Sequence, residues 1–156
     1  MSEEFRAAEF ATTRLQKISM TIGIVIVLLG VAGFIPGITR GIDQLAVTGN
    51  GSEAYIFTVF RVSVVHNVVH IVAGVLGIVC AMRPRSSRQF LLWGAAFFVV
   101  LWIFGLYAVG HPEVNFLAIN PADNWLHIGL AAVMAASGLI ISRDPHGQPR
   151  ESHTIV

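Results

Sequence analysis

The residues best suited to chemistry in this chain are histidines set inside apolar stretches. His66 and His70 stand four apart in Ser63-Val64-Val65-His66-Asn67-Val68-Val69-His70, and Asp123 and His127 repeat that spacing in Asn120-Pro121-Ala122-Asp123-Asn124-Trp125-Leu126-His127. On a helix, positions four apart lie on one face, one turn above another, so each pair can aim at a single point. Three imidazoles and a carboxylate form a donor set for zinc or copper, or for iron with a different shell. His66 or His70 opposite His127 could also hold haem b, with Gly74, Gly77 and Ala131 leaving room for the macrocycle. A His/Asp chain can relay protons in membrane proteins, and such groups would titrate as a coupled set. Four short helices without broken or repeated segments match a transporter poorly. Neutral His and Asn can instead act as hydrogen-bond glue between helices, at about 0.6 kcal/mol per contact on average. On the sequence alone these readings all stay open.

The neighbours of these residues share their periodicity. Ser63, His66, Asn67, His70, Gly74 and Gly77 fall at steps of three and four, as do Asn120, Asp123, Asn124, His127, Ala131, Met134 and Gly138. The face opposite the first stripe is Val, Ile and Leu. Charged groups at the centre of a membrane helix cost about 2.5–3.5 kcal/mol on insertion scales, so the two stripes are expected to face each other. The glycines below them should let those helices approach closely. Arg61, Ser63, Asn67, Asn120 and Asn124 are the expected supporting polar network, with Arg61 and Asp123 near its mouth. His111 beside Pro112 reads as a solvated loop residue able to cap the site, and His146 and His153 lie in the tail. Cys80 reads as a small packing residue. No Ser-His-Asp order or Gly-rich phosphate loop is present, so nothing here specifies an enzyme.

The elements that must position these residues follow from composition. The chain has 156 residues, 54% of them hydrophobic and only 12% charged, against about 25% charged in an average soluble domain. Its mean hydropathy is +0.71. A net charge of +1 gives no field suited to nucleic acid, and the lone Cys80 excludes an internal disulfide or a CxxC site. Charges divide the sequence into uncharged runs of 22 (Ile18–Thr39), 21 (Val62–Met82), 24 (Gln89–Pro112) and 19 residues (Asn124–Ser142). About 20 apolar residues cross a bilayer as a helix. The first run is longer than a signal-peptide core and follows Glu3, Glu4 and Glu9, so it reads as a retained helix.

These runs predict an all-α integral membrane four-helix bundle with up-down-up-down topology. The expected helices are about 18–38, 57–82, 89–110 and 121–142, with Asn120 capping the last and Pro121 in its first turn. Residues 1–17 form an N-terminal segment, with Ala7 to Lys17 either a short interfacial helix or a frayed tail. Gly41 to Ser52 reads as a flexible outer connection, Met82 to Arg88 as a tight turn, and residues 143–156 as a solvated tail. Eight of the ten Lys and Arg lie at the termini and in the 83–88 turn, against Arg40 and Arg61 on the other side. The positive-inside bias therefore places both termini in the cytoplasm and the histidines in the outer half of a multi-pass protein. The expected partners are the lipid bilayer and, through small-residue faces such as Ala131, Ala132, Ala135 and Ala136, a second copy or a membrane complex. An accessory subunit of a larger redox or transport complex is the alternative role.

Ser63-Val64-Val65-His66-Asn67-Val68-Val69-His70, then Ala73-Gly74-Val75-Leu76-Gly77, and the segment Asn120–His127 resemble a family of small bacterial four-helix membrane proteins classed as a domain of unknown function. The resemblance covers about residues 15–142. It implies the four-span fold and marks the HNxxH and NxxDNxxH segments as that family's common feature, and it implies no activity.

Overall fold

Thr13 starts the first helix. Its side chain accepts from the Gln16 N–H at 3.3 Å while Gln16 Oε1 accepts from the Thr13 N–H at 2.9 Å, a reciprocal cap that satisfies two otherwise orphaned donors. The computed structural model describes residues 10–49 and 51–141, so the expected tail 143–156 and most of the N-terminal segment lie outside the described residues. Helix α1 spans Arg14–Ala32. It begins before position 18 because the Thr/Gln cap, rather than the last charge, sets the boundary.

Three more helices follow: α2 Val64–Cys80, capped by Ser63; α3 Pro84–Ala108, with proline in its first turn; and α4 Pro121–Ile140, capped by Asn120. Each start carries a residue type suited to it, since Ser and Asn accept from the first free N–H groups and proline lacks one. Because α3 begins at Pro84, the turn between α2 and α3 is shorter than the expected Met82–Arg88.

The segment between α1 and α2 departs from the sequence reading. Its Gly, Asn and Thr content suggested a flexible connection and a helix from about 57. Instead, strands β1 Thr39–Arg40, β2 Ala54–Ile56 and β3 Phe60–Val62 form an antiparallel sheet in the order β1-β2-β3. Ala54, Ile56 and Val62 are buried against Ala32, Ile38, Leu45 and Phe60, so a period-2 pattern wins over helix continuation. Ser52 pins the loop from inside, donating to Val62 O at 2.6 Å and accepting from Ala46 N at 3.2 Å.

The helices pack mainly as two pairs, α1 along α2 and α3 along α4. In the first pair the backbones touch: a Cβ on Gly23 would sit 2.6 Å from Gly74 O, and one on Gly74 would sit 2.5 Å from Gly23 O. Ser19 and Gln16 of α1 donate to Gly77 O and Ala81 O, both at 2.9 Å. Gly74 and Gly77 thus admit α1 rather than α4, correcting the expected close approach of α2 and α4. Leu91 and Phe98 of α3 meet Ile26 of α1 and Met134 of α4 in the shared core.

Among the described residues two helices, α1 and α3, are long and apolar enough to cross a membrane. The charge spacing predicts four. With 17 residues, α2 reaches only about 26 Å, because residues 60–62 are committed to the sheet. Asp123, Asn124 and His127 lower the apolarity of α4. Large apolar side chains nevertheless stand exposed on all four helices, among them Leu28, Val72, Leu76, Val100, Ile103 and Val133.

Candidate metal centre

Two caps and one helical turn place the histidines. Ser63 accepts from the His66 N–H at 3.2 Å and donates to Leu117 O at 3.1 Å. That hydroxyl joins the start of α2 to the loop leading into α4. One turn further along, His70 Nδ1 lies 3.0 Å from His66 O. A carbonyl oxygen only accepts, so Nδ1 carries the hydrogen and Nε2 keeps the lone pair. Metal-binding imidazoles are held in this way, with the second ring nitrogen donating to a backbone carbonyl. His127 comes from the second turn of α4 and is fully buried.

The three rings converge. Ring centroids of His66 and His70 are 4.6 Å apart, His66 and His127 5.7 Å, and His70 and His127 5.8 Å. One nitrogen from each lies within 4.8 Å of the others. In a tetrahedral zinc site with Zn–N of about 2.0–2.1 Å, ligand nitrogens sit about 3.3–3.4 Å apart, so modest ring rotations close the set. Both ring nitrogens of His127 and Nδ1 of His66 are buried without a hydrogen-bond partner among the described residues. Phe98 of α3 closes one side, 6.1 Å from His70 and 5.7 Å from His127. Beside the rings is a cavity of about 20 Å³, lined by His66, His70, Asn67, Asp123, Leu29 and Phe60, among others. That is close to the space one water needs.

The remaining expected residues divide. Asp123 does not join the converging nitrogens. Its Oδ2 accepts from the Asn120 N–H at 2.9 Å, while Asn120 Oδ1 accepts from the Asp123 N–H at 3.0 Å. The carboxylate is therefore committed to capping α4 as well as lining the cavity. Asn120 also donates to Val59 O at 2.8 Å, tying α4 to the β2–β3 hairpin. Arg61 belongs to β3 and turns to Glu53 at 2.8 Å and Ser52 O at 2.7 Å. In the same cluster, partial burial and the hydrogen bond to Glu53 raise the Tyr55 hydroxyl above its ordinary range. Asn67 faces the cavity and packs on Gly33, and Asn124 packs on Gly105. His111 stacks on Tyr107 at 4.0 Å and does not cap the site.

The family whose description reads "Domain of unknown function (DUF4383)" matches residues 16–140. The chain belongs to this family. The matched stretch runs from the capping Gln16 of α1 to Ile140, the last residue of α4, so the sheet and all three histidines fall inside the domain. No curated protein and no solved structure matches the chain. The domain's description carries no activity, and the chemistry must come from the site.

A haem does not fit this arrangement. The glycines expected to make room are filled, Gly74 by Gly23 and Val27 of α1, and Gly77 by Phe90 and Gly23. A cavity of about 20 Å³ holds no macrocycle. Sequence reasoning missed Phe98 and the hairpin residues Ile56, Phe60 and Val62, which wall the site. Phe98 is one of ten phenylalanines and carries no distinguishing spacing. The hairpin strands, Ala54 to Ile56 and Phe60 to Val62, are three residues each, too short for their alternation to stand out.

Proposed function

We propose that this protein is a multi-pass protein of the bacterial inner membrane that binds one transition-metal ion, zinc or copper, on His66, His70 and His127. The observation that carries the reading is His127, a fully buried imidazole with neither nitrogen hydrogen-bonded, set opposite two more imidazoles. A buried polar atom without a partner costs about 1–3 kcal/mol. Hydrogen-bond glue would leave those nitrogens paired; an ion turns the same cost into coordination. The hydrogen on His70 Nδ1 leaves Nε2 as its donor atom.

A cavity lined by His66 and His70 supports an open fourth position beside the three histidines, the pattern of sites that bind water or a small ligand. Asp123 and Asn67 line that cavity and would orient the fourth ligand through hydrogen bonds rather than touch the ion. The membrane reading rests on the apolar belt and on the basic turn at Arg83 and Arg85, at the opposite end of α2 from the sheet. The positive-inside rule then puts the histidines nearer the outer face.

Elemental analysis of protein extracted in mild detergent and loaded with zinc or copper tests this. About one ion per chain is expected, lost in His66→Ala, His70→Ala and His127→Ala. Wild-type protein that takes up no stoichiometric ion, or a His127→Ala variant that retains it in full, overturns the proposal.

A further inference from the structure

Phe98 also borders a second space, shared by α2 and α3. Between them lies an open groove of about 610 Å³, within the range of about 300–1,000 Å³ usual for ligand sites. Its walls include Val72, Leu76 and Cys80 of α2 and Phe90, Trp93 and Phe97 of α3, and nearly all its surface is apolar. The groove follows α2 from Val68 to Cys80, twelve steps of about 1.5 Å, or about 18 Å. One leaflet of a hydrocarbon core is about 15 Å deep, half of about 30 Å. The groove therefore has about the depth of one leaflet, and it opens toward the side of the α2–α3 turn. Exposed Arg83 ends that turn, and exposed Arg85 and Arg88 lie in the first two turns of α3, beside Cys80 and Gln89, where the groove ends. Arg88 is partly engaged, donating to Gly138 O at 3.3 Å. Arginine is suited to bidentate contact with phosphate.

We infer that the α2–α3 groove holds an acyl chain of an anionic phospholipid, with the headgroup phosphate on Arg83 and Arg85. The inference rests on the membrane reading above and is independent of the metal. Apolar length and cationic end together select the occupant: a second copy of this chain would leave the arginines unmatched, and a neutral lipid would use the groove without them. Adjacent packing on Phe98 makes the groove's far end the outer wall of the imidazole cluster.

Full-length protein in nanodiscs of phosphatidylcholine with a minor share of phosphatidylglycerol, released into a native mass spectrometer, tests this. Wild-type protein is expected to keep one phosphatidylglycerol per chain in preference to phosphatidylcholine. Leu76→Trp and Val72→Trp, at exposed positions in the groove, should lower that one-lipid adduct about tenfold, the effect of about 1.4 kcal/mol. Arg83→Gln with Arg85→Gln should abolish the preference while leaving some adduct. Equal retention of the two lipids by the wild type, or an adduct indifferent to every one of these variants, overturns the lipid site. A chain recovered from the soluble fraction without detergent overturns the membrane reading itself, and zinc content measured on the same samples reports on the metal separately.

Discussion

Asp123 shows how one side chain can serve structure and chemistry at once. It closes the cap of α4 through Asn120 and faces the cavity beside the imidazoles. Asp123→Asn preserves an acceptor for the Asn120 N–H and removes the charge. We expect the thermal midpoint in detergent to move little, while zinc affinity falls by about 10- to 100-fold, the usual cost of losing a group that orients a ligand. Asn120→Ala works the other way, losing about 1 kcal/mol of stability with its cap. Only neutral imidazoles coordinate, so zinc affinity should fall once the pH is low enough to protonate the three rings. Titration with a competing chelator at several pH values measures both effects, and a pH-independent affinity would contradict imidazole ligation.

At the scale of elements, the seam between α1 and α2 fixes where His66 and His70 stand. Gly23 and Gly74 meet backbone to backbone, so Gly74→Leu should cost about 1–3 kcal/mol through overpacking and displace both histidines. Gly129→Ala is the control: a Cβ there meets nothing within 4 Å, and the helix gains up to about 1 kcal/mol of propensity. Thermal unfolding followed by circular dichroism separates the two. The four helices and the pairing of HNxxH with His127 were legible because charge spacing and steps of three and four leave few alternatives for an apolar chain. The partner of the α2 glycines was not legible, since a small residue says that something comes close without saying what. Nor was the sheet, whose strands of two or three residues give too short an alternation to stand out from a Gly-rich loop. The strand setting of Arg61 was hidden for the same reason, and with it the turn of its guanidinium to Glu53.

Across the whole molecule, the described body has a sheet at one end, a basic turn at the other, and the histidines nearer the sheet. The membrane reading makes these two ends face opposite compartments. Single cysteines probe this: on a Cys80→Ser background, Phe57→Cys at the exposed hairpin tip should react with a membrane-impermeant maleimide from the periplasm, and Arg85→Cys only after the membrane is broken. Equal labelling of both in intact cells would contradict the topology.

The most direct test of the account is X-ray absorption of the zinc-loaded protein. Three histidines and a small fourth ligand predict nitrogen and oxygen scatterers at about 2.0–2.1 Å with imidazole multiple scattering, reduced in His127→Ala. A shell containing sulfur at about 2.3 Å, or one without imidazole, would place any bound ion elsewhere and contradict it.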